Sequence, residues 1–158
     1  MKAEFYGQYF DVVICNDSGL YFEELDFEDL RQPGLNIRTP MNMDRLSDEE
    51  MIDYYSKLIA ELGGKVTAYY LDGIAVYNHG VISSFMDNMA AQKNGSFYMI
   101  DKASSKRFEG WPLDSLSINK ENGKYFVDGS IEESKENIIK DQYEKSVVDF
   151  LIKSLHIA

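Results

Sequence analysis

The sequence predicts an α+β fold: a single domain, residues 1–158, in which about three helices pack on a mostly antiparallel sheet built from hairpins. Three observations lead to this prediction. Short apolar segments alternate with Asp-Gly and Asn-Gly turn signals, as in hairpins. Longer segments repeat apolar residues at helical spacing. The chain of 158 residues contains no linker, internal repeat or low-complexity tract, and its length suits one domain.

The N-terminal segment is rich in aromatic and β-branched residues, which favour strands. We expect a strand over Glu4–Cys15, a turn at Asn16–Gly19 and a partner strand over Leu20–Leu25. Residues 26–45 contain two prolines and predict a long ordered loop. Loops of this length inside a domain are uncommon and often functional.

A helix is predicted over residues 47–62. Ser47 and Glu50 have the spacing of a capping box, in which each side chain bonds to the other residue's backbone N–H. Apolar residues then recur every three or four positions up to Leu62, and Gly63 ends the run. The acidic residues that open this helix therefore have a structural role.

The middle of the chain predicts a hairpin followed by a second helix. Lys65–Leu71 and Ile74–Tyr77 flank Asp72-Gly73, a two-residue turn signal. Asn78 or His79 would then begin a helix. Its apolar face would consist of Val81, Ile82, Phe85, Met86 and Met89.

The last third predicts a strand, a hairpin and a long helix. Ser96–Asp101 reads as a short strand, and Leu116–Lys120 and Lys124–Asp128 flank a turn that contains Asn122-Gly123. From about Ser134 the apolar residues follow helical spacing to the C-terminus. This segment predicts an amphipathic helix that docks on the sheet.

Composition and charge exclude several classes of protein. The net charge is −11, which argues against a general nucleic-acid or anionic-membrane surface. The single cysteine excludes an internal disulfide framework and a Cys-based zinc site. No apolar run approaches the ~20 residues of a membrane helix. The first residues also lack the apolar centre of an export signal. We therefore expect a cytoplasmic protein.

No catalytic motif is apparent in the sequence. The two histidines, His79 and His156, lie at a predicted helix start and near the C-terminus, where capping or surface roles are usual. Cys15 ends an apolar segment and reads as structural, since nothing beside it would lower the pKa of its thiol. The acidic residues do not follow a calcium-loop pattern. We accordingly predict no catalytic residue, no cofactor and no metal.

The negative charge is concentrated near the N-terminus. Residues 1–64 hold 14 acidic and 5 basic residues, and acids alternate with aromatic residues between positions 17 and 29. Such a segment is either a solvated face or a surface that grips a basic protein, because charges steer and rings anchor. The residues predicted to bind this partner are Asp17, Tyr21, Phe22, Glu23, Glu24, Asp26, Glu28 and Asp29.

In size, acidity and lack of a catalytic set, the chain resembles small bacterial immunity proteins that neutralise nuclease toxins, of the contact-dependent-inhibition or polymorphic-toxin type. This resemblance implies a non-enzymatic inhibitor that occupies the basic cleft of a toxin, with no direct contact to nucleic acid or membrane. Two alternatives stay open. One is a small ligand-binding or enzymatic domain with an enclosed pocket near His79, Tyr77 and Asp72. The other is an adaptor that uses an aromatic surface.

Overall fold

The computed structural model describes residues 2–86, 93, 95–129 and 138–157, with side chains from 144 onward in the last segment. Its helices and strands in chain order are α1 (Lys2–Tyr6), β1 (Val12–Phe22), α2 (Asp48–Glu61), β2 (Lys65–Asn78), β3 (Val81–Met86), β4 (Phe97–Ile100), β5 (Ser117–Ile118) and α3 (Ile138–Leu155). The predicted α+β class, with a five-stranded antiparallel sheet and three helices, is confirmed. Among the described helices none is long and apolar enough to cross a membrane.

The sheet has the strand order β1-β2-β4-β5, and β3 also pairs with β2. β2 has 14 residues and pairs with two strands at different places along its length. It pairs with β4 over residues 65–68 and with β3 over residues 73–78. The Glu23 N–H donates to the Thr67 carbonyl at 2.9 Å, and the Ser18 hydroxyl donates to the Asp72 carboxylate. Residue numbers thus fall along β2 as they rise along β1, so this pair is antiparallel as well.

The described chain forms two compact units. Unit 1 comprises residues 1–18, 71–94 and 137–158, and unit 2 comprises residues 19–70 and 95–136. β1 and β2 each contribute residues to both units. The expectation of a single domain stays a prediction.

Unit 2 contains a continuous apolar core. α2 packs its buried face against β4 and the adjacent 3₁₀ helix, Pro112–Ser115. The core residues are Leu20, Phe22, Leu25, Met51, Ile52, Tyr55, Leu58, Ile59, Val66, Ala68, Phe97, Met99, Leu113 and Leu116. Burying about a dozen such side chains at roughly 1.5–3 kcal/mol each is the main stabilising term of this unit.

The predicted loop over residues 26–45 is confirmed, with one 3₁₀ turn at Pro40–Asn42. Hydrogen bonds attach it to the core elements through Gln32 to Phe22, Gly34 to Leu20, and Ile37 to Tyr55, and an ion pair of 2.9 Å attaches Arg38 to Asp48 of α2. The Tyr55 hydroxyl donates to the Ile37 carbonyl at 2.9 Å, and burial raises the pKa of this phenol.

The capping box of α2 is present as predicted. The Glu50 N–H donates to the Ser47 hydroxyl, and the Ser47 N–H donates to the Glu50 carboxylate at 2.8 Å. These bonds lower the pKa of Glu50. The predicted helix over residues 47–62 is confirmed to within one residue at each end.

Replacing the capping residue should weaken unit 2 measurably. In a Ser47→Ala variant the Glu50 N–H loses its acceptor, and we expect the free energy of unfolding to fall by about 1 kcal/mol. Urea unfolding followed by circular dichroism measures this change. The matched control is Ser105→Ala, which truncates an exposed serine and should stay within about 0.5 kcal/mol of the native protein. Equal losses in both variants would contradict a capping role.

Unit 1 contains the first half of β1, the second half of β2, and β3, with α1 and α3. α3 packs against β3, where the Phe85 and Phe150 rings stack with centroids 5.5 Å apart. The Asn78 side-chain amide donates to the Ser154 carbonyl at 3.0 Å. β2 and β3 are joined by His79-Gly80, both with positive φ (46° and 90°), as a tight primed hairpin turn requires.

The predicted N-terminal hairpin is wrong. Glu4 and its neighbours begin as α1, and Asn16–Gly19 lies inside β1 rather than in a turn. Gly19 has a packing role there. A Cβ at this position would come within 2.8 Å of the Tyr21 ring and 3.3 Å of the Gly34 backbone. The glycine therefore permits close approach of the loop, which local turn chemistry could not reveal.

Two predictions for the middle of the chain are also wrong. Asp72-Gly73 does not turn the chain, because β2 continues through it. The segment from Val81 to Met86 is the strand β3 rather than a helix, and Met89 lies outside the described residues. The chain turns instead at His79-Gly80, where a helix start was predicted. The apolar residues of this segment fit both helical and strand spacing, and hydrogen bonding to β2 stabilises the strand.

The later predictions fare better. The strand predicted at Ser96–Asp101 is confirmed as β4, and the C-terminal helix is confirmed as α3, although residues 134–137 lie outside the described part. The second predicted hairpin is reduced to β5 and one bridge between Ile118 and Tyr125. The 3₁₀ helix Phe126–Asp128 takes the place of its returning strand.

Candidate functional site

A pocket of about 300 Å³ lies on one face of the sheet in unit 1. The strand registers place two cross-strand rows along its floor, each with a small β2 residue at the centre: Asp17–Gly73–Met86 and Cys15–Ala75–Ser84. A Cβ added at Gly73 would meet no atom within 4 Å. The small central residues thus leave the space in which a ligand could lie.

α1 contributes the basic side of this pocket. Lys2 and the fully buried Ala3 line it, and Lys2 Nζ lies 3.2 Å from Asp17 Oδ2. The two charged side chains are 60% and 57% exposed, so their attraction is screened by water and stabilises the fold little. Both groups can therefore leave each other for a ligand at small cost.

This arrangement has a defined chemical capacity. The ammonium of Lys2 can bind an anionic oxygen, and the carboxylate of Asp17 can accept a proton or orient a water molecule. Asn16 and Ser84 add neutral polar groups, while Phe85 and the remaining lining are apolar. A mostly apolar pocket with a few convergent polar groups is typical of small-molecule sites.

A second pocket, of about 630 Å³, lies in unit 2 between α2 and the 26–45 loop. Two of its five charged residues are already engaged in the fold. Glu50 caps α2, and Arg31 binds Asp29 with a 2.7 Å contact. This ion pair lowers the pKa of Asp29 to about 2. We therefore take the unit 1 pocket as the candidate site.

The next question is which of the described side chains could hold a metal ion. No group of three or more His, Cys, Asp or Glu side chains comes together within residues 2–86, 93, 95–129 and the described end of α3. Asp17 is the acidic residue that lines the unit 1 pocket. One carboxylate suits a cation that arrives with a phosphate ligand, because Mg²⁺ is commonly held by one or two carboxylates plus substrate phosphates.

The eight residues predicted to bind a basic partner do not form one exposed set. Asp17 belongs to unit 1 and the other seven to unit 2. Phe22 is fully buried in the core, so the prediction that it is an exposed anchor is wrong. Tyr21 is half-buried, with its ring stacked on Phe27 at 4.8 Å and on Tyr69 at 5.9 Å. Both rings predicted as anchors thus serve the fold.

Several of the predicted acids also have local partners. The Glu24 carboxylate accepts the Thr67 N–H at 2.8 and 2.9 Å, and Asp29 binds Arg31. The Asp26 and Glu28 side chains are exposed, as is Glu23. That these residues contact a basic protein stays a prediction.

The residues named for the alternative, an enclosed pocket, are not brought together. Asp72 bonds to Ser18 on the sheet face opposite Asp17, Tyr77 packs against Gly7, and His79 lies in the exposed turn. Sequence reasoning did not single out Lys2, and it grouped Asp17 with the acids of residues 23–29, whereas the structure places Asp17 beside Lys2 in the unit 1 pocket. The local sequence feature that could have indicated the pocket is the pair of small residues in β2, Gly73 and Ala75. Small residues at these positions are equally typical of a turn.

The comparisons with known proteins give a fold and no family. No family model matches the chain, and no curated protein matches its sequence. Solved structures do match. The Ham1 protein of Staphylococcus aureus superposes with a TM-score of 0.64 and 20% identity, covering 95% of this chain and 72% of that one.

Two further structures support the same fold. A HAM1 protein from Coxiella burnetii has a TM-score of 0.60 and 14% identity, over 90% of this chain and 68% of that one. A nucleoside-triphosphatase, or dITP/XTP pyrophosphatase, from Mycobacterium abscessus has a TM-score of 0.60 and 11% identity, over 96% and 69%. The chain has a Ham1-like fold.

These neighbours correct the function predicted from the sequence. One of these neighbours is named as a nucleoside-triphosphatase and the other two as Ham1 proteins, so the prediction of a toxin immunity protein without enzymatic activity is wrong. The physical reason is that net acidity reports on solubility and association rather than on fold, and site residues that lie far apart in sequence leave no local motif. Of the two alternatives left open, a ligand-binding or enzymatic domain is the one that the comparisons favour.

Proposed function

We propose that the chain hydrolyses a nucleoside triphosphate and releases pyrophosphate, with dITP and XTP as first candidate substrates. The observation that carries this proposal is the Ham1-like fold across 90–96% of the chain, shared with a protein named for this activity. The unit 1 pocket supports it, because it pairs a cation with a carboxylate beside an apolar lining. We also place the chain in the cytoplasm, where nucleoside triphosphates are made and used.

Lys2 is the residue proposed to bind the phosphates. Its ammonium lies at the pocket wall, where it is paired in the free protein with the exposed Asp17 carboxylate. A triphosphate offers a denser negative charge and several acceptor oxygens, so we expect Lys2 to exchange its partner when substrate binds. This exchange frees Asp17 at the moment when the phosphates arrive.

Asp17 is proposed to act on the attacking water. The carboxylate accepts one proton as the water oxygen forms a bond to the α-phosphorus, and the bond from that phosphorus to the oxygen bridging to the β-phosphate breaks. Pyrophosphate leaves with the bridging oxygen, and a nucleoside monophosphate remains. The substrate would enter as its Mg²⁺ complex, which neutralises phosphate charge; the donor set described above suits that arrangement.

An assay that separates the two phosphate products tests this function. The purified protein is incubated with Mg²⁺ and dITP, XTP or ATP, and free phosphate is measured with and without added inorganic pyrophosphatase. We expect phosphate to appear only with the added enzyme, together with one nucleoside monophosphate per pyrophosphate. Phosphate release without it would indicate cleavage of the terminal phosphate, and no turnover of any nucleotide would also contradict the proposal.

Lys2→Ala provides a matched test of the site. We expect KM for the active nucleotide to rise about tenfold, since one charge-assisted contact to phosphate is lost. The control is Lys124→Ala, which removes an exposed lysine of unit 2 and should leave KM unchanged. If both variants kept the native KM, Lys2 would not be the phosphate-binding residue.

A further inference from the structure

Gly73 is a glycine that the backbone of β2 does not require. Its φ lies outside the left-handed region, and β2 continues through it, so it serves no turn. A Cβ at this position would meet no atom of the described residues within 4 Å, so none of them needs the space. Glycine inside a strand weakens the strand, and it often marks a place where a ligand approaches closely.

Other glycines of unit 1 do have a reason in the fold. A Cβ at Gly7 would lie 2.7 Å from the ring of Tyr77, and Gly80 has a φ of 90° in the turn between β2 and β3. Substitution at either residue would move a neighbouring ring or strain the backbone. Gly73 meets neither condition. Its missing side chain is therefore a feature of the unit 1 pocket rather than of the fold.

The strand register gives Gly73 a defined place in this pocket. It lies between Asp17 of β1 and Met86 of β3, and residues paired across strands direct their side chains to the same face. Neighbouring strands are about 4.8 Å apart, so the backbones of Asp17 and Met86 are separated by about 10 Å. The Lys2 ammonium lies at the Asp17 end. The row thus runs from a charged end, over an open floor, to a thioether.

We propose that the nucleoside of the substrate lies across β2, with its sugar over Gly73 and its base against Met86. This subsite rests on the proposed function, which places the phosphates at Lys2 and the α-phosphorus beside Asp17. Phosphate, sugar and base follow one another in a nucleotide as these residues follow one another along the row. A side chain at residue 73 would occupy the space of the sugar, so Gly73 determines whether the pocket admits a nucleoside.

The lining suits a sugar and a base. Gly73 and Ala75 leave the backbone of β2 as an uncharged floor, and both residues are partly exposed. Met86 is 63% exposed, and a flexible thioether makes favourable contacts with aromatic rings. Ser84 pairs with Ala75 in the next row, and its hydroxyl can donate or accept a hydrogen bond. The nucleoside is therefore bound through shape rather than through charge.

The competing interpretation is that Gly73 is a neutral position and that the substrate binds through its phosphates alone. The two interpretations differ in which ligands a side chain at residue 73 excludes. Inorganic tripolyphosphate carries the phosphates without a nucleoside. The α,β-methylene analogue of dITP carries both, and it cannot release pyrophosphate because a carbon replaces the bridging oxygen. The affinities of these two ligands separate the nucleoside subsite from phosphate binding without any turnover.

Isothermal titration calorimetry with both ligands in the presence of Mg²⁺ tests the subsite. Gly73→Val should raise the Kd of the dITP analogue at least about tenfold, because overfilling a fitted space is costly. The same variant should keep the Kd of tripolyphosphate within about twofold of the native value, whereas Lys2→Ala should raise both Kd values about tenfold. Ser83→Val adds a branched side chain to β3 outside the pocket lining and should change neither.

Urea unfolding shows whether the fold is retained. Valine favours strands more than glycine does, so the unfolding midpoint of Gly73→Val should equal or exceed the native one. Gly73→Ala adds only the Cβ and provides the test if Gly73→Val does not fold; its Kd for the analogue should rise by a smaller factor.

Three outcomes would overturn the subsite: native affinity of both Gly73 variants for the analogue, an equal loss of affinity for the two ligands, and a native protein that does not bind the analogue. Failure of the proposed function gives a different result. A selective loss in Gly73→Val, together with no hydrolysis of any nucleotide by the native protein, would support the nucleoside subsite and contradict only the proposed hydrolysis.

Discussion

An Asp17→Asn variant is expected to lose at least about 100-fold in kcat while its KM changes little. The amide keeps the size of the carboxylate but cannot accept the proton of the attacking water, and general-base catalysis typically contributes about 10²–10⁴-fold. Steady-state kinetics on dITP or XTP, with product analysis, measures the effect. A fall in kcat at constant KM indicates a group that acts in the transition state.

The control for this variant is Asp26→Asn. Asp26 is exposed, lies in unit 2 and belongs to the acids first predicted to bind a partner. Its replacement removes the same charge, so long-range effects of net charge would appear equally in both variants. Because the Lys2–Asp17 pair is largely exposed, Asp17→Asn should leave the unfolding midpoint unchanged. Comparable activity losses in both variants would remove Asp17 from the mechanism.

Phe22→Ala is expected to destabilise the protein by about 3–5 kcal/mol, which is a large part of the stability of a domain this size. The side chain is fully buried, and its ring contacts Tyr55 edge-on with centroids 6.3 Å apart. Truncation would leave a cavity that α2 and β1 cannot close. Urea unfolding gives the free energy, provided that the variant folds; loss of the folded protein on expression would agree with the same assignment.

Phe108→Ala separates core packing from the general effect of losing an aromatic side chain. Phe108 is 58% exposed in the same unit, and we expect a change within about 0.5 kcal/mol. If Phe22→Ala were as mild as Phe108→Ala, Phe22 would be a surface residue.

The features predicted correctly are those determined by neighbouring residues. The capping box at Ser47 and the glycine after Leu62 define α2 within a few positions of sequence. The strands behave differently. Asp72-Gly73 is a good turn signal by itself, yet β2 runs through it because β1 and β3 pair on either side. Pairing between distant segments is not encoded in a short window, so the hairpins were assigned to the wrong turns.

The candidate site depends even more on contacts between residues that are distant in sequence. Asp17 was predicted to be functional because it is acidic and precedes other acidic residues in the sequence. That reason is unrelated to its place in the pocket. Its actual neighbours are Lys2, 15 residues earlier, and Gly73, 56 residues later, which only α1 and the β1–β2 register bring close. Conversely, Phe22 follows Tyr21 in sequence while its side chain points to the opposite face of the strand. The charge pattern carried no information about which acids face a pocket.

The attachment points of the 26–45 loop have a consequence for how this chain can vary. Gln32, Gly34 and Ile37 are tied to Phe22, Leu20 and Tyr55, and Arg38 is paired with Asp48, so a twenty-residue connection is divided into shorter free spans. Each short span closes at a smaller entropic cost than one long loop. Insertions and deletions should therefore be tolerated before Gln32 and after Arg38. Between those residues, a change in length would pull Tyr55 away from its carbonyl partner.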